Sequence, residues 1–311
     1  MKQGMSATTD IRRFGYYIPK HDGVVDFVVH NPAASVDVLT EFHKTCSVIS
    51  DLQPIIFAFD VVERNYRELV DSIEEHRSQL RNSVMASAKP ISVVMDGFVI
   101  ATQKISNFLS STSAFLAQTE TQLRRVHGTD SAELNMWNEK RNDLYDNNFS
   151  YSFLYELRNF AQHCSLPFSS LNIAGECASE NAPALFKINA MILRDGLFGV
   201  GFNWKNSVEE EIRKQPAEFE LLYHIPEYFH ILRQLCLEAV QLHSVRLAEC
   251  ASYLDAVRRT QKIPAGAVPV IFIGESPSKG IPPSRLEVIP VGQLEYLLRE
   301  YDKLLNACVL A

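Results

Sequence analysis

Arg158, Asn159 and His163 are the residues of this chain whose types and spacing point most directly to chemistry. An imidazole with an ordinary pKa of about 6.5 takes up and releases a proton near neutral pH. A guanidinium stays charged and grips phosphoryl oxygens through its forked N–H donors. A carboxamide can position the phosphate or the imidazole. A histidine with a guanidinium and an amide beside it suits phosphate chemistry.

The stretch that carries them, Tyr151 to His163, reads as a helix with two stripes. Phe153, Leu157, Phe160, Ala161 and Cys164 recur at i, i+4, i+7, i+8 and i+11, a core-facing seam. Tyr155, Arg158, Asn159, Gln162 and His163 fall outside it. Asn159 and His163 are four apart and share a face. Arg158 lies about 140° around the helix from His163. The long Arg side chain, a bend near the helix end or a second subunit must bring the two together. Pro167 predicts that the helix stops near His163. Tyr155, Glu156 and Gln162 are candidate supporting residues. A purely structural account competes with the chemical one. In it Arg158 pairs with Glu156 or a neighbouring helix, Asn159 satisfies a backbone group, and His163 caps a helix C-terminus, where a cation is favoured.

Long amphipathic segments surround this helix. Ser35 caps a helix through Val36, Leu39, Phe42 and Cys46. From Asp60 to about Ala88, Val62, Tyr66, Leu69, Ile73, His76 and Leu80 form a seam. After Pro90 a further pattern runs to His127-Gly128, as one helix or as two divided at Ser110–Ser113. Asp130 or Ser131 caps the next segment, and Asn147-Asn148 breaks it before the site helix. Ser165 to Pro183 reads as a loop. Ala184 to Leu193, the turn Asp195-Gly196 and Leu197 to Phe202 read as a β-hairpin. A long helical pattern follows from about Ala217 to Gln261, kinked or interrupted at Pro226. Near the ends, Gly23–His30, Val268–Ile273 and Leu286–Val291 are strand candidates, and Gln293–Cys308 is helical. Arg12-Arg13 reads as a solvated basic pair.

At Arg158-Asn159-Phe160-Ala161-Gln162-His163 the chain resembles the HEPN superfamily. That family sets an Arg, a polar residue and, with four to six residues between it and the Arg, a His, in an all-helical bundle. No other His here has an Arg five or six positions before it. The resemblance reaches at most residues 60–260. It implies a mainly α fold, here a HEPN-like helical bundle with an inserted β-hairpin and a small α+β C-terminal appendage. On that reading residues 1–59 are an N-terminal α/β extension, 60–261 the helical domain with the hairpin near 184–202, and 262–311 the C-terminal segment. The resemblance also implies metal-independent endoribonuclease activity with no cofactor and no metal. Arg158, Asn159 and His163 would be catalytic. A symmetric homodimer would supply a second His, and the role would be that of a toxin or defence effector with a protein inhibitor or antitoxin. The alternative is a non-catalytic HEPN-like helical dimer serving as a binding or scaffold module.

Composition bounds these readings. The chain has 311 residues, 46% apolar, with formal charge −7. Residues 90–164 sum to −2 and residues 205–262 to −1, so no segment is strongly basic. That disfavours a tight, non-specific nucleic-acid binder, whose affinity comes from neutralising phosphates. It leaves room for an enzyme that needs one local cation. The six cysteines include no Cys-x-x-Cys pair and predict free thiols in a reducing compartment. The first residues lack a secretory apolar core, and Pro54–Val62 and Val268–Ile273 are short for a membrane span. A cytoplasmic protein with no membrane partner is expected.

Other constellations are weaker. His224, Glu227 and His230 have partly helical ligand spacing, but Pro226 intervenes and no fourth ligand is marked. The stretch from Gly274 to Gly280 lacks a phosphate-loop ending and reads as a hairpin loop. Arg258, Arg259 and Lys262 suit a helix C-terminus.

Overall fold

The computed structural model describes residues 11–21, 25–30, 32–85, 91–176, 185–274 and 285–309. The fold is mainly α, with eight α-helices and two small antiparallel sheets among the described residues. In chain order these are β1 (Arg12–Pro19), β2 (Val25–Val29), α1 (Val36–Met85), α2 (Ile91–His127), α3 (Ala132–Asn147) and α4 (Phe149–His163). Then come β3 (Ser170–Glu176), β4 (Leu185–Leu193), α5 (Asn206–Lys214), β5 (Glu218–Glu220) and α6 (Leu221–Gln241). The chain continues through α7 (Ser244–Thr260), β6 (Val268–Ile273), β7 (Arg285–Val288) and α8 (Val291–Val309). Two compact units result: residues 1–53 with 242–302, and residues 54–241 with 303–311.

The first unit is built from both halves of the sequence. Its sheet runs β2-β1-β6-β7, all pairs antiparallel, with Phe14 opposite Ile271 and Tyr16 opposite Pro269. Segments 1–59 and 262–311 are separate in the sequence reading, yet β1 and β6 join them in one sheet. Periodicity shows a strand but not its partner 250 residues away. Arg12-Arg13 is likewise corrected from a solvated pair to the start of β1. Arg12 faces Glu287 at 3.5 Å, and Arg13 donates to the Gly274 carbonyl. Gly15 is needed where β1 meets its neighbours, because a Cβ there would lie 2.2 Å from the Val28 carbonyl oxygen. Arg246 ties α7 to α1 through Asp51 at 2.8 Å.

The expected boundary at 59/60 falls inside a single helix. The predicted helices from Ser35 and from Asp60 merge into α1, which continues through Pro54, where the two units divide. Ser35 does cap it, accepting the Val38 N–H at 3.3 Å. One window of α1 within Val36–Asn82 is long and apolar enough to cross a membrane by length and composition, with mean hydropathy 1.4.

The second unit holds the site helix. Segment 91–127 is one helix, not two. Ser111 and Thr112 return their hydroxyls to the Phe108 and Leu109 carbonyls, so polar residues sit inside it without breaking it. Gly128, at φ 101°, closes α2 in the left-handed region. Ser131 caps α3 by accepting the Leu134 N–H. The hairpin at 184–202 is corrected: β4 forms, but Arg194–Leu197 turns into a 3-10 helix and no return strand follows. Instead β4 pairs with β3, in the stretch read as a loop, and with β5. Arg194 fixes the detour by donating to the Gln215 carbonyl at 3.0 Å. The long pattern of 217–261 divides into β5, α6 and α7, with Pro226 accommodated inside α6. The core is aromatic: Phe229 stacks on Tyr66 at 4.1 Å, Tyr228 packs edge-on to Phe108, and Phe153 stacks with Trp204.

Helices α1 and α2 meet so closely at Gly97 that a Cβ there would lie 1.9 Å from His76 Nε2. Gly97→Ala should therefore cost about 1–3 kcal/mol, read as a lower urea midpoint at unchanged slope. Burial lowers the pKa of His76, and also that of His224, from 6.5. The unfolded chain then binds protons that the folded one refuses. Stability is full above about pH 6.5 and falls as pH drops towards the folded values. The urea midpoint should decrease from about pH 7.5 to about pH 5.5, and less steeply in His224→Asn.

Candidate functional site

Helix α4 is fixed first at its N-terminus. Asn148 has the extended backbone of an N-cap, and its Oδ1 accepts the Tyr151 N–H at 2.8 Å. Its Nδ2 donates to Glu227 Oε1 of α6 at 2.6 Å. Ser150 Oγ donates to Glu227 Oε2 at 2.5 Å and lies 2.8 Å from His224 Nδ1. With the serine proton committed to the carboxylate, His224 is the donor in the second bond. The residues weighed for metal binding therefore serve to clamp α4 on α6. His230, the third of them, bonds Gln234 at 2.8 Å instead. Among the described residues no group of three or more His, Cys, Asp or Glu is arranged to hold a metal ion. At the α7 end Arg258 faces Glu295 at 3.8 Å and Arg259 pairs with Asp255. Residues 275–280 of the Gly274–Gly280 stretch lie outside the described residues.

Phe153, Leu157 and Phe160 are buried, as the seam requires, and so are Tyr151 and Leu154 on the other side. The burial ends with the last turn. Arg158 and Asn159 are half-buried, and Gln162 and His163 are exposed. Arg158 Nη1 donates to Asn159 Oδ1 at 2.9 Å. The guanidinium thus reaches around the helix towards the face that Asn159 shares with His163. No hydrogen bond joins Arg158 to His163 among the described residues. Arg158 Nε is buried without a partner, and the residue makes no ion pair among the described residues. The expected alternative partner, Glu156, is engaged elsewhere. It is buried, accepts from Tyr145 Oη at 2.8 Å and lies 3.6 Å from Lys205 Nζ.

Tyr155 is half-buried beside Tyr145, with ring centroids 5.8 Å apart. Burial and the neighbouring Glu156 push the Tyr145 hydroxyl well above its ordinary pKa, so it stays protonated and donates. Tyr145 and Lys205 are absent from the sequence reading. They come from α3 and from the entry to α5, and only the i, i+4 spacing of Tyr151 and Tyr155 hints at an aromatic cluster. Asn148→Ala removes both a cap and a tie to Glu227. It should lower stability by about 1–2 kcal/mol, measured as a drop in thermal midpoint.

No protein-family model, no curated protein and no solved structure matches this chain.

Proposed function

We propose that the chain is a metal-independent endoribonuclease of HEPN-like helical architecture, acting in the cytoplasm through Arg158, Asn159 and His163. The observation that carries this reading is a half-buried guanidinium with no carboxylate partner among the described residues, bonded only to Asn159. Holding such a cation without a counter-charge is costly. A phosphodiester of RNA supplies the missing charge and takes up the free N–H donors.

The chemistry follows from residue types. His163 takes the proton of the ribose 2′-OH. The 2′ oxygen attacks the adjacent phosphorus, the P–O5′ bond breaks, and the leaving oxygen gains a proton. Arg158 holds the charge that builds on the phosphoryl oxygens. Asn159 positions the guanidinium. The products are a 2′,3′-cyclic phosphate and a 5′-hydroxyl. One imidazole does not act as base and acid at once, so a homodimer that pairs two such motifs is part of the proposal. A growth-arresting toxin or defence effector, held in check by a protein inhibitor, is the cellular role that fits this activity. A non-catalytic binding module is the second reading, favoured by the burial of Arg158 Nε.

Incubation with RNA in EDTA separates them. Cleavage should persist under chelation, spare DNA, which lacks the 2′ nucleophile, and fall by at least about 10²-fold in His163→Ala. Arg158→Ala should fall similarly. Equal cleavage by the parent and both variants would remove these residues from the mechanism. Absence of any cleavage by the parent favours the binding module.

A further inference from the structure

Tyr145, Tyr151 and Tyr155 line a cavity of about 330 Å³ in the second unit, together with Lys205 and Ser207 at the start of α5. The Tyr151 and Tyr155 rings lie 6.3 Å apart at 32°, and the Tyr145 ring stands nearly perpendicular to both, at 88° and 86°. The result is an aromatic corner. Tyr151 is completely buried, and its hydroxyl has no hydrogen-bond partner among the described residues. Tyr151 therefore backs the corner, and the half-buried Tyr145 and Tyr155 supply the ring surface that a ligand reaches.

The charges around the cavity are balanced. Arg141 is held by Glu120 at 2.8 Å, and its guanidinium lies over Trp137. Lys205 Nζ sits 4.4 Å over the Tyr145 ring and faces Glu156. Asp146 adds an acceptor beside Asn142, which offers both donor and acceptor. Such a lining does not select an isolated anion. It suits a flat, neutral ring whose edge carries both donors and acceptors. The volume is at the small end of ligand sites, which span roughly 300–1,000 Å³. Of common biological groups, a single nucleobase meets all three conditions: a face to stack on tyrosine, a mixed polar edge and small size.

The placement connects this cavity to the catalytic residues. Tyr155 precedes Asn159 by one turn of α4 and His163 by about two, and each step of four residues rotates only about 40°. We infer that the tyrosine cavity binds one nucleobase, and that in RNA this base belongs to a nucleotide next to the cleaved linkage. The second clause rests on the ribonuclease reading; the first does not.

The four ribonucleosides, titrated separately into the full chain and followed by saturation-transfer NMR, test it. At least one should bind with Kd in the millimolar range or tighter. Tyr155→Ala should weaken it by about tenfold, while Tyr155→Phe, which keeps the stacking face, should bind like the parent and controls for folding. Arg158→Ala and His163→Ala should bind nucleosides normally. The inference is overturned if no nucleoside binds, if Tyr155→Ala binds as well as the parent, or if inorganic phosphate competes for the same signals. Nucleoside binding without RNA cleavage would sink the ribonuclease reading alone. Cleavage without nucleoside binding would sink the base pocket alone.

Discussion

Helix α4 must be buried around its whole circumference at one end and on a single side at the other. From Ser150 to Leu154 every residue is inside the second unit. Such a helix cannot end its first turn in unsatisfied N–H groups, and water is not there to help. Asn148, Ser150, His224 and Glu227 answer that constraint with polar atoms from two helices. Once this end is fixed, the rotation of α4 about its axis is fixed too. The polar strip of the last turn is then delivered to solvent with its residues in a set order.

That order bears on the chemistry. Arg158 and His163 do not share a face, and α4 runs unbroken from Phe149 to His163. The guanidinium reaches only as far as Asn159, on the side of the helix where His163 lies. Asn159 thereby sets where the guanidinium points. Glu156, the carboxylate nearest in sequence, is withdrawn into a bond with Tyr145 and an ion pair with Lys205. Were it free to turn towards Arg158, the guanidinium would be neutralised within its own helix.

Much of the helical content is legible in the sequence, because 3.6-residue periodicity and capping chemistry are local. Ser35, Gly128, Ser131 and Asn148 each mark an end that the structure places there. The exposure of Gln162 and His163 follows from the same wheel that buries Phe153 and Leu157. Two kinds of information are missing. Strand pairing is one: β3 lies in a Ser/Asn-rich stretch with little alternation, and it is a strand because β4 offers it a ladder. The other is convergence of separate elements. Tyr145, Tyr155 and Lys205 meet only after α3, α4 and α5 have packed, and no spacing along the chain encodes that meeting. The continuity of α1 through Pro54 also escapes, because the patterns from Ser35 and from Asp60 read as separate segments.

The β1–β6 pairing carries a consequence for biosynthesis. Strand β1 ends at Pro19, and its partner begins at Val268. At a translation rate of about 5–20 residues per second, roughly 10–50 s separate the appearance of the two. During that interval the nascent chain can form the β1–β2 hairpin, but the other edge of β1 has no native strand to receive it. All of residues 54–241, the greater part of the second unit, leave the ribosome in the meantime. Topology thus constrains the order: the sheet begun by β1 closes only after most of the second unit has been made.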